Sequence, residues 1–121
     1  LARIPAGRWG EPEDLAGDPE WKHHPYQFAG NASQMYAYDA NGDGLNDVIT
    51  ALEAHGFGLA WYEQVKEGGE IAFEKHQIMG DRSAKNPSGV VFSQLHGVDL
   101  VDMDGDGLKD IVTGKRFWAH G

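Results

Sequence analysis

A chain of 121 residues is long enough for one small domain with a modest core, and its 40% hydrophobic and 11% aromatic content marks it as folded rather than disordered. The formal charge of −9 makes nucleic acid and anionic membrane surfaces poor partners. There is no cysteine, which excludes disulfides and thiolate metal centres, and no apolar run approaches the roughly 20 residues of a membrane-spanning helix.

In chain order, residues 1–17, "LARIPAGRWGEPEDLAG", stand apart from the rest of the chain. "EPEDLA" reads as a helix start, with Pro12 in the first turn and acids at the positive end of the dipole, but "GDPEW" stops it after about one turn. The tail is therefore expected to be irregular or one-turn helical. It resembles a segment near the C-terminus of short-chain dehydrogenases/reductases. That family also needs a Gly-rich dinucleotide turn and a Tyr-x-x-x-Lys pair upstream. Here no such turn exists, and Tyr62 and Lys66 of "YEQVK" come after the segment. Residues 1–17 read as a dehydrogenase-like remnant or linker, and oxidoreductase activity is not expected.

From residue 18 onward the chain repeats itself. "WKHH" at 21–24 is matched by "FEKH" at 73–76, "SQMY" at 33–36 by "SQLH" at 93–96, and "YDANGDGLNDVIT" at 38–50 by "VDMDGDGLKDIVT" at 101–113. The units run from about 21 to 72 and from 73 to 121, the second carrying an inserted "MGDRSAKNPSG". A period of about 50–60 residues suits a four-stranded sheet repeat and is too long for ankyrin or leucine-rich repeats. "GLAWYEQ", the Gly turn in "EGGE" and "IAFEKHQI" read as strand, turn, strand. With seventeen glycines at short intervals, the fold class is all-β.

The repeated loops carry the chemistry. Side-chain oxygens fall at loop positions 1, 3, 5 and 9: Asp39, Asn41, Asp43 and Asp47, then Asp102, Asp104, Asp106 and Asp110. The carbonyls of Leu45 and Leu108, at position 7, complete each ring, and glycines at positions 4 and 6 permit the left-handed backbone such a loop needs. An Asp/Asn/Gly turn without metal is the plain alternative, but four side-chain oxygens in nine residues would repel one another without a cation. An all-oxygen, flexible donor set favours calcium over magnesium, so two calcium sites are expected. Position 12 is Thr50 or Thr113 rather than the acid of an EF-hand, and "DVIT" and "DIVT" are β-branched. Each loop should feed a strand, not a helix.

This pattern, D-x-D-G-D-G-x-x-D leading into a short hydrophobic strand, resembles the FG-GAP/VCBS repeat family, and "WYEQ…F…H.I" resembles a phrase typical of VCBS proteins. The resemblance implies about two blades, as a fragment, of a calcium-binding β-propeller like that of the integrin α-subunit head, spanning residues 18–121. It implies structural calcium and a secreted, periplasmic or cell-surface setting. The expected function is protein or glycan binding or adhesion, with neighbouring blades covering exposed sheet faces or self-association through open strand edges. Asn41 in place of Asp predicts a weaker first site. Eleven residues after Asp110 the chain reaches its last position, where the next strand would begin.

A second function class is a carbohydrate-active propeller enzyme, resembling polysaccharide lyases that use His/Tyr acid–base chemistry. His55, His120 and His96 are its candidates, although pairing of His96 with Tyr36 in the repeat speaks against a metal role for that histidine. His24 and His76 share a repeat position and are expected to pack. The tryptophans and tyrosines are expected to fill space between sheets rather than stack on sugars. No residue is assigned a catalytic role.

Overall fold

The computed structural model describes residues 24–115; the tail 1–17, with Trp9, and also Trp21, Trp118 and His120 lie outside them. The described part is all-β, without a helix: two antiparallel sheets, neither closed into a barrel. The first sheet is a meander of β1 (Met35–Tyr38), β2 (Asp47–Ala51), β3 (Leu59–Glu67) and β4 (Glu70–Met79), hydrogen-bonded in that order. The second is the hairpin of β5 (Leu95–Val101) and β6 (Asp110–Lys115). β4 straddles the 72/73 boundary between the sequence units and completes the first sheet, so sheets and repeats are out of phase along the chain.

Local chemistry explains the turns. Gly68 and Gly69 join β3 to β4 with φ of 57° and 88°, the double positive φ of a type I′ turn that matches strand twist. The β4–β5 connection, which holds the insertion, is closed by its own polar groups. Asp81 accepts from the amide and hydroxyl of Ser83 at 2.8 and 2.6 Å, and the Gly80 amide donates to Asn86 Oδ1 at 2.7 Å. The Ser83 hydroxyl, and then its amide, hold the Asp81 carboxyl below its ordinary pKa.

Both faces of the first sheet are covered, by different partners. Ile49, Ala51, Leu59 and Met79 pack against Leu95, Val98 and Leu100 of the second sheet, with Tyr36, Tyr38, Trp61 and Ile111 at the margin. On the other face, Val48, Ala60 and Tyr62 are covered by Phe28 and Phe73. That cover is an aromatic cluster: Phe28 meets Tyr62 and Phe73 edge-on at centroid distances of 5.2 and 4.8 Å, and Tyr26 lies 5.0 Å from Phe73. Space-filling, rather than display, is thus the role of Tyr36, Tyr38, Trp61 and Tyr62 among the described aromatics.

Tyr62, buried to 4% exposure, donates its hydroxyl to the Phe28 carbonyl. Burial, and next the neighbouring Tyr26, raise its pKa above the ordinary phenol value. The folded state therefore favours the neutral phenol, so this contribution is intact below about pH 10 and is lost as pH rises through the raised folded value. Urea unfolding should show a stability loss setting in above about pH 10 that is smaller in Tyr62→Phe. At neutral pH the same variant should cost about 1 kcal/mol for the missing hydrogen bond. An unchanged alkaline profile in the variant would remove Tyr62 from this role.

Candidate metal centre

Two strands and one tight loop build each acidic centre. β1 pairs with β2 from Met35↔Thr50 to Tyr38↔Asp47, and β5 pairs with β6 from Val98↔Thr113 to Val101↔Asp110. The registers coincide at an offset of 63 residues, the offset of the loops themselves. Even the threonines agree: Thr50 Oγ1 donates to the Gln34 carbonyl at 2.9 Å, and Thr113 Oγ1 to the Gly97 carbonyl at 2.8 Å. Both loops lead into strands, as their β-branched exits required.

Inside the loops, five hydrogen bonds recur one for one. Oδ1 and Oδ2 of Asp39 accept from the amides of Gly42 and Gly44 at 2.7 and 2.9 Å; Asp102 accepts from Gly105 and Gly107 at 2.6 and 2.9 Å. Asn41 Oδ1 accepts from Asp43 at 3.1 Å, as Asp104 Oδ1 does from Asp106. Asp43 and Asp106 accept from Leu45 and Leu108, both at 2.8 Å. The position-9 carboxylates close the loops on Ala40 and Met103, at 3.1 and 2.9 Å. Gly42, Gly44, Gly105 and Gly107 all have φ between 79° and 91°, where a side chain would be strained.

The backbone amides thus curl each loop around its acids, and the two loops differ in what is left for a cation. In the second, single oxygens of Asp102, Asp104 and Asp106 come within 4.8 Å of one another, and all three residues are exposed. Asp104 and Asp106 each commit only Oδ1 to the bonds above, which leaves an oxygen apiece. An all-carboxylate set of this kind fits a hard cation such as calcium. In the first loop, Asn41 has one oxygen and spends it on Asp43, and its amide nitrogen turns outward to Glu63 Oε1 at 3.0 Å. Asp47 uses both oxygens, Oδ2 on Ala40 and Oδ1 on the Gln64 amide at 2.8 Å, and is fully buried. Leu45 is half-buried and Leu108 is exposed; both sit at the loop exits, where their amides bond Asp43 and Asp106.

The two loops are neighbours. Lys109 of the second places Nζ 5.4 Å above the ring of Tyr38, which precedes the first. Tyr36 and Asp99, equivalent at the 63-residue offset, touch at 3.5 Å, and Gln34 Oε1 accepts from the Val98 amide at 2.8 Å.

The ladder corrects one sequence correspondence. "SQMY" and "SQLH" match at an offset of 60, three residues out of step with the sheets, so His96 is not the counterpart of Tyr36. The irregular register between Leu95 and Gly97, and a positive φ of 65° at Gln94, accommodate the shift. A repeat pairing with Tyr36 therefore no longer speaks against His96. His55 and His96 do come together, ring centroids 5.2 Å apart, where Gly56 accepts from the Gln94 amide between the sheets. His24 is exposed, and half-exposed His76 is bound to Glu63 and stacked on Trp61, so neither is a core histidine.

No family model, curated protein or solved structure matches this chain.

Proposed function

We propose that the chain is a calcium-binding repeat module: residues 18–121 as about two blades of an FG-GAP/VCBS-type propeller in a secreted or cell-surface protein. One observation carries the reading. Two loops 63 residues apart share five equivalent hydrogen bonds, and the second brings three carboxylate oxygens within 4.8 Å of one another. Packing of a four-stranded meander face to face on a second sheet supports the blade assignment.

The role of the ion is structural. Bound calcium supplies positive charge between carboxylates that otherwise repel. The chain's own groups do the rest: glycine amides aim Asp39 and Asp102, and the position-9 acids tie each loop to its exit strand. Loops held this way present a firm surface for a protein or glycan partner. The open edge of β4 is where a second copy would add, whereas a neighbouring blade would cover a sheet face.

The second loop is the tighter site in this reading, because it offers one more carboxylate and fewer committed oxygens. Calorimetric titration should resolve two classes of calcium site. Asp104→Ala should abolish the tighter class, and Asn41→Asp should strengthen the weaker one by about tenfold, the effect of roughly 1.4 kcal/mol from one added charge. Calcium binding that survives Asp104→Ala with its tighter class intact, or no binding at all, would defeat the assignment.

A further inference from the structure

The β3–β4 hairpin carries a group of side chains that the acidic loops do not use. Glu63 and Glu74 are register partners, directly opposite one another, and His76 lies two residues beyond Glu74 on the same face. His76 Nε2 is 2.8 Å from Glu63 Oε2, and one donor atom from each of Glu63, Glu74 and His76 falls within 4.8 Å of the others. We infer that these three residues form a site for a divalent transition-metal ion, with zinc as its representative.

Three features beyond proximity point that way. The donors are one imidazole nitrogen and two carboxylate oxygens, a set that suits zinc and its neighbours, whereas calcium and magnesium take oxygen. Two of the three donors are already held. Asn41 Nδ2 grips Glu63 Oε1 at 3.0 Å, leaving Oε2 toward His76, and the imidazole stacks on Trp61 at 4.5 Å with an interplanar angle of 26°. Finally, opposed glutamates repel across a strand pair, and His76 is their one ion-pair partner among the described residues. A dication between them offsets that repulsion.

Zinc bonds of about 2.0–2.2 Å put tetrahedral donors roughly 3.3–3.6 Å apart. The 2.8 Å contact and the 4.8 Å limit of this group bracket that separation, so small side-chain adjustments suffice. Three protein donors leave a fourth position, and exposed Glu74 places it at the surface, open to water or to an anionic group of a ligand. Asn41, which holds Glu63, belongs to the first acidic loop, so the loops must be kept in one state while zinc is tested.

The test is calorimetric titration of zinc into the full 121-residue chain in excess calcium, which keeps the loops constant. One zinc ion should bind at this site, about tenfold or more weakly in Glu74→Gln and in His76→Ala. Because Glu74 is exposed, Glu74→Gln should keep the calcium-saturated unfolding midpoint and decides the matter if His76→Ala fails to fold. Copper(II) gives a second readout: it should quench a component of tryptophan fluorescence that Trp61→Phe removes. Zinc binding unchanged in Glu74→Gln, or none to the folded chain, overturns the proposal.

Discussion

In excess calcium the thermal unfolding midpoint should rise reversibly by on the order of 10 °C over its value in chelator, and Asp43→Ala with Asp106→Ala should abolish the rise. The size comes from linkage. A ligand at a hundred times its dissociation constant stabilises by about 2.7 kcal/mol per site, and each kcal/mol moves the midpoint of a domain this small by about 4–8 °C. The charge geometry gives the direction. With three carboxylate donors of the second loop within 4.8 Å, each pair repels by about 1–4 kcal/mol, depending on solvent screening, until a cation sits between them. The variant should therefore behave differently in chelator from a core mutant. It loses three loop hydrogen bonds, from Asn41, Leu45 and Leu108, but it also loses repulsion, so its metal-free midpoint should stay near that of the parent. A calcium response that persists in the double variant would move the binding elsewhere. An unresponsive parent would reduce both loops to polar turns.

The second large effect separates two residues that the sequence treats as the same. In chelator, Asp47→Ala should cost about 3 kcal/mol in urea unfolding, and Asp110→Ala about 1 kcal/mol or less. Both acids occupy position 9 and both close their loops, on Ala40 and Met103. Only Asp47 goes further. The β2–β3 ladder ends at Val48↔Tyr62, and the Asp47 side chain extends it by one step, accepting the Gln64 amide at 2.8 Å. Its removal leaves two amide donors without acceptors and opens a hole at a position with no solvent exposure. Asp110 is exposed, and among the described residues β6 pairs with β5 alone, so no third strand there depends on it. Equal costs for the two variants would show that the Gln64 contact carries no weight. Working without calcium matters, since either acid can also act through a bound ion.

The hairpin of β3 and β4 was legible in the sequence, because "EGGE" supplies two adjacent residues free to adopt positive φ between β-branched and aromatic runs. The strand after each acidic loop was legible for a similar reason: "DVIT" and "DIVT" disfavour a helix locally. The loop acids, too, announce themselves through spacing alone, and the structure places all of them, with Asn41, in one repeated cage. What misled was a short identity. "SQ" occurs twice by letter, but register is set by ladder bonds and by which side chains must face the core, and those place Tyr36 opposite Ile49 and align it with Asp99.

By itself, then, the sequence determined the strand-forming segments, the tight turns and the oxygen-rich loops, all properties of a few consecutive residues whose backbone preferences and charges act locally. Only the tertiary structure decided that Phe28 and Phe73 seal one face of the first sheet while Leu95 and Val98 seal the other. Only there do Asp47 and Asp110 part company, and only there do Glu63, Glu74 and His76 meet. Those facts depend on which strands pair and at what register, and such pairing joins residues far apart in the chain through contacts that no local pattern encodes.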